Sequence, residues 1–140
     1  MVEAGGQAVD AAEVHLVFDP TVLSPVDAQG NPTARMEGGS ALPSEIVNAV
    51  DSATGKAAYA SGDLTGPGAS GTFLLARLRF RALANSTRVQ IRFSGDPGEM
   101  CDVAYDGESV LGYVKGAQLV TGPTATPVAL VRLPLLLKGR

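Results

Sequence analysis

With 140 residues, 45% of them apolar but only 5% aromatic and none of them Trp, the chain holds one domain whose core is built from Val, Leu, Ala and a few Phe. Seventeen Gly and nine Pro demand frequent turns between short elements and argue for an all-β chain. The net charge of −3 offers no basic field for nucleic acid, the single cysteine, Cys101, excludes an internal disulfide or a multi-cysteine zinc site, and one His leaves little for metal or acid–base chemistry.

Met1 is followed by Val2-Glu3-Ala4-Gly5-Gly6, with neither a basic start nor an apolar run, so no secretory leader is read there. Met1 is expected to open a fragment, or a mis-assigned start, of a longer exported protein. Residues 12–18 alternate: Val14, Leu16 and Phe18 share one face and Glu13, His15 and Val17 the other, the pattern of a half-buried strand. Asp19-Pro20 stops it, and extended chain resumes over 21–26. Residues 27–43 are rich in Gly, Pro and Asn without sustained periodicity, and read as a long surface connection.

Two short strands are expected at 45–50 and 56–64, the second containing Tyr59. The most regular alternation spans 72–83: Leu74, Ala76, Leu78, Phe80 and Ala82 on one side, Arg77, Arg79 and Arg81 on the other. Residues 88–93 repeat it, with Val89, Ile91 and Phe93 opposite Arg88, Gln90 and Arg92. If these two strands were antiparallel neighbours, they would present one basic surface. A short strand follows at 102–105, and a final one at 108–120 is broken at Gly112 or Gly116. Residues 122–127 read as a Pro/Thr linker, leaving 1–121 as the folded module. The tail, 128–140, is apolar but carries Arg132 and Pro134, and falls short of the roughly 20 residues needed to span a bilayer.

Several short strands with turns between them suggest a sandwich. The run Gly6-Gln-Ala-Val-Asp-Ala-Ala-Glu-Val-His-Leu-Val-Phe-Asp-Pro-Thr-Val-Leu-Ser24 resembles the cohesin pattern of a strand ending in an aromatic-Asp-Pro turn. Ser70-Gly-Thr-Phe-Leu-Leu-Ala-Arg-Leu-Arg-Phe-Arg81 is similar to the cohesin strand that follows a Ser-Gly turn. Asn48-Ala-Val-Asp51 with Gly55 and Tyr59-Ala60, and Gly107-Glu-Ser-Val-Leu111, fit the same order, so the resemblance covers about residues 6–121.

The resemblance implies a two-sheet jelly-roll β-sandwich of the cohesin and bacterial carbohydrate-binding-module type. It also implies a non-catalytic docking module, secreted or on the cell surface, that binds a dockerin-like partner through one sheet face. On that face Glu13, His15 and Val17 are the implied contacts, with Tyr59, Arg77 and Arg79 as further candidates. A complete cohesin has a strand and most of a second ahead of this sequence. The tail is expected to fill that place, in its own molecule or by strand exchange in a homodimer, or else to serve as a surface-anchoring signal.

No cofactor or metal is expected. His15 is the only histidine available to a triad, no Gly-x-Ser-x-Gly elbow exists, and Gly66-Pro-Gly-Ala-Ser-Gly71 lacks the Lys-Ser/Thr end of a phosphate loop. Two alternatives to docking stay open: polysaccharide binding, for which Tyr59, Tyr105 and Tyr113 are the only tyrosines, and a structural spacer of an adhesin.

Overall fold

The computed structural model describes residues 1–122 and 134–138, and among them every regular element is a strand. The chain opens with β1 (Val2–Val9) and β2 (Ala11–Phe18), and at Asp10 between them it passes from one sheet to the other. The two sheets enclose the core, and the protein is a jelly-roll β-sandwich.

β2 is the hub of the larger sheet. Along one side it pairs antiparallel with β6 (Lys56–Gly62) over its whole length, from Ala11 opposite Gly62 to Val17 opposite Lys56, and β5 (Ser44–Asp51) lies beyond β6. Its other side is shared: β11 (Asp102–Tyr105) takes the Ala11–Glu13 half, and β10 (Ser86–Phe93) takes Leu16 to Phe18. The hairpin strand β12 (Glu108–Ser109) folds back on β11, and β14 (Ala117–Thr121) flanks β10. The β5–β6 turn is closed by Asp51, whose carboxylate accepts from the Ala53 and Thr54 amides and the Thr54 hydroxyl.

The second sheet runs in the order β13 (Leu111–Val114), β15 (Leu135–Leu137), β1, β7 (Ala69–Phe73). Two short ladders complete the fold, β3 (Leu23–Val26) with β9 (Arg79–Ala82), and β4 (Glu37–Gly38) with β8 (Ala76–Arg77). Of the Pro/Thr stretch, residues 123–127 lie outside the described residues, as do 128–133 and 139–140 of the tail.

Alternation explains the core. Ala12, Val14, Leu16 and Phe18 of β2 are all buried, and they meet Val2 and Val9 of β1, Tyr59 of β6, Val89 and Ile91 of β10 and Val103 of β11. The Phe18 ring meets Phe80 edge-on, with centroids 4.9 Å apart, an arrangement worth about 1 kcal/mol beyond the area it buries.

Three expectations are corrected. Residues 72–83 do not form one strand: β7 ends at Phe73, Leu75 drops into the core, and the chain then joins β4 and β3 in turn. Consequently it does not neighbour β10, and the two arginine stripes do not merge into one basic surface. The connection at 27–43 is also more than surface, because it buries Met36 and Leu42. The Asn48 side chain holds this connection by accepting from the Met36 amide at 2.7 Å and donating to the Met36 carbonyl at 2.9 Å, as a neighbouring strand would. With the Val50 amide donating to Ala34, this contact occupies the outer edge of β5, which would otherwise invite pairing.

The sheet switch after β7 rests on a close backbone crossing. The Gly39 amide donates to the Leu75 carbonyl at 2.8 Å, and a methyl built on Gly39 would run into the Leu74 carbonyl. Gly39→Ala is therefore expected to cost more than about 2 kcal/mol, whereas Gly95→Ala, with open space around it, should stay within about 0.5 kcal/mol. Urea unfolding midpoints of the two variants check this.

Candidate functional site

Residues directly opposite in an antiparallel ladder point to the same side, so the registers of β5, β6 and β2 define the outer surface of the larger sheet. Three rows cross it: Val47, Ala60, Glu13; Ala49, Ala58, His15; and Asp51, Lys56, Val17. The third continues to Arg92 of β10. The middle of this face carries only methyl-sized side chains, which keeps it flat. At its edge the bulged residue Ile46 and the loop residue Leu64 are both exposed, and both reach toward Gly62.

Charge lies at the lower rim. Lys56 Nζ donates to both Glu99 oxygens at 2.9 and 3.0 Å and to Asp96 at 3.3 Å. Ser94 Oγ also donates to Glu99, at 3.1 Å. Hydrogen bonding to Lys56 holds the Glu99 carboxyl below its ordinary range, and the same contact raises the Lys56 ammonium above its own. His15, Ala58, Lys56 and Glu99 line a shallow open depression of about 230 Å³. His15 Nε2 lies 2.6 Å from Glu13 Oε1, so the two outward side chains of β2 form one unit.

Beneath that unit, Cys101 Sγ accepts from the His15 amide at 3.3 Å, and burial pushes its thiol pKa up. A thiol shifted in that direction is protonated at neutral pH and is a poor nucleophile. Among the described residues no group of three His, Cys, Asp or Glu side chains is placed to hold a metal ion. The surface is thus open and shallow, with small side chains near its centre and paired polar groups, Glu13 with His15 and Lys56 with Glu99, around them.

Of the residues expected from sequence, Glu13, His15 and Val17 share this face with β6 and β5. Tyr59 does not: it points inward and is 2% exposed, because the alternation of β6 puts Ala57, Tyr59 and Ser61 on the core side. Arg77 and Arg79 are elsewhere too. They sit on β8 and β9, where Glu37 pairs with Arg77 at 3.4 Å and with Arg79 at 2.6 Å. Sequence reasoning missed Val47, Ala49, Ala58 and Ala60. The Ala-rich stretch 57–60 is the signal for a flat strand, but which alanines face outward depends on the register with β2. The Lys56–Glu99 pair spans 43 positions and has no local signal.

No family model matches the chain, and a search of curated proteins gives no match either. Solved structures do resemble it. A type II cohesin dyad from an adaptor scaffoldin of Acetivibrio cellulolyticus superposes with a TM-score of 0.65 at 16% identity, covering 89% of this chain and 47% of the dyad. The chain therefore spans about half of that structure. A single type II cohesin domain from the cellulosome of the same organism gives 0.61 at 12% identity, covering 96% of this chain and 88% of that one. A type II cohesin–X-dockerin complex from that organism gives 0.58 at 17% identity, covering 85% and 78%. The fold is that of the type II cohesin modules.

Because the Glu99 pKa is lowered by folding, its pairing with Lys56 adds stability above the unfolded carboxylate pKa, and that stability is lost as the pH falls through the folded value. In Lys56→Met, NMR titration should find the Glu99 carboxyl moved up from its lowered position toward the ordinary carboxylate range. The stability difference between wild type and variant should narrow from pH 6 to pH 3; an unchanged Glu99 titration would contradict the pairing.

Proposed function

We propose that the chain is a non-catalytic docking module which grips a dockerin-like protein through the outer face of β5, β6 and β2. The flat patch of Ala49 and Ala58, with Ala60 buried beside them, between Val47, Ile46 and Leu64 on one side and Glu13 and His15 on the other carries this reading. A rigid sheet without protruding side chains admits close approach of a helical partner. Its exposed apolar residues supply the desolvated centre from which a few anchors deliver most binding energy. Polar groups at the margin, Lys56 with Glu99 and Asp96 and Glu13 with His15, then set orientation and partner choice more than affinity. That a cohesin of the same fold forms a complex with an X-dockerin supports the choice of partner class. On this reading the chain works outside the cell or at its surface, as part of a larger scaffold.

A polysaccharide ligand has less behind it. Sugar rings stack on rows of exposed aromatic rings, but here Tyr59 is buried, Tyr105 lies in the β11–β12 hairpin and Tyr113 belongs to the other sheet.

Ala58→Arg places a long cation in the centre of the flat row without touching the core. It is expected to weaken binding of a type II X-dockerin module by about 100-fold or more, the scale of a hot-spot loss, while Arg77→Ala changes it less than about threefold. Isothermal titration calorimetry with both variants decides. Binding that survives Ala58→Arg but fails in Arg77→Ala would move the site to the Glu37 corner.

A further inference from the structure

The strand β15 is three residues long, yet it holds the smaller sheet together. Val2 and Glu3 of β1 pair with Leu135 and Leu136 on one side, and Leu111, Tyr113 and Val114 of β13 pair with Leu137, Leu136 and Leu135 on the other. β1 and β13 are not bonded to each other; β15 is the bridge between them. Its backbone is held at each end. The Leu135 amide donates to the Met1 carbonyl at 2.9 Å, the Lys115 amide to the Pro134 carbonyl at 3.2 Å and the Lys138 amide to the Val110 carbonyl at 3.0 Å. Leu135 is 1% exposed and packs into the core beside Val2.

Two features mark the gap between β1 and β13 as a receptor for a strand. Among the described residues the β1–β15 ladder is parallel while the other ladders are antiparallel, so this strand arrives from a distant part of the chain and not through a hairpin. The wall of the gap is also relieved where the strand passes. Gly112 sits at the register shift of β13, and a Cβ there would lie 2.8 Å from the Leu137 carbonyl carbon and oxygen. No side chain fits at that position while the strand is in place.

We propose that the gap between β1 and β13 is a strand-binding site in its own right, and that it takes the Leu135–Leu137 segment of a second copy of this chain as well as its own. The contacts are the same in both arrangements, so only concentration decides between them. The tether between residues 122 and 134 keeps a chain's own tail at an effective concentration on the order of 1 mM, so the tethered tail holds the gap at lower protein concentrations. A second copy competes poorly at low concentration because the tethered tail wins. It binds readily once that tail is removed from competition.

The experiment uses two full-length variants. Leu135→Asp spoils the tail and leaves the gap free, because a carboxylate cannot take the place of a fully buried Leu. Gly112→Val closes the gap and leaves the tail intact. Each alone is expected to run as a monomer at about 100 μM in size-exclusion chromatography with light scattering, and an equimolar mixture should give a heterodimer, because the free gap of one variant and the intact tail of the other have no competitor within their own chains. A mixture that stays monomeric while circular dichroism shows the Leu135→Asp sheets intact would overturn the proposal. Should Leu135→Asp fail to fold, wild-type chain refolded at increasing concentration decides: a dimer fraction that grows toward about 1 mM supports exchange, and monomer throughout contradicts it.

Discussion

Everything in this molecule depends on β2 being paired on both sides. A strand with hydrogen-bonded neighbours along both edges has only two places to put its side chains, and in Ala11–Phe18 one set is buried without exception while the other is half-exposed. A slip of one residue would send Glu13 and His15 into the core and Val14 and Leu16 to the surface, so the register admits no alternative. From that fixed strand the positions of β6, β10 and β11 follow, and with them the face on which Glu13, His15 and Val17 stand.

The same alternation marks how far the sequence could be read. It located β2 and the short strand β11, because in these stretches one face is apolar and the other polar or small, while β5 and β6 were marked by the turn at 51–55 between them. It failed between Phe73 and Ala82, where the pattern is most regular. Period two reports that residues share a side, but not which sheet they share it with, and here the chain changes partner twice, at the crossing of Gly39 over Leu75. Arg77 and Arg79 therefore end up beside Glu37, about 40 positions away in sequence, and not on the docking face. Tyr59 was misread for a related reason. Alanines flank it on both sides of the strand, so composition does not distinguish inside from outside; only the pairing with β2 does.

The smaller sheet shows a different economy. Its first strand belongs to the N-terminal end of the chain and its inserted strand to the C-terminal end, so the two extremities are joined through Met1 and Leu135. Closing a sheet through such distant segments has a loop-closure cost that grows only slowly with length. A buried leucine contributes about 2 kcal/mol, and with it paired backbone that would otherwise be an open edge. The protein thus combines a sheet bearing the proposed docking face with a second sheet completed by its own tail.

The central claim, that binding occurs on the outer side of β5, β6 and β2, is tested most directly by mapping methyl and amide NMR shifts while a type II X-dockerin module is added. The account predicts that Val17, Val47, Ala58 and Ala60 move together while the inward Val14 and Leu16 methyls change little. Large shifts confined to Glu37, Arg77 and Arg79, or to the β13 strand, with the alanine row unaffected, would contradict it.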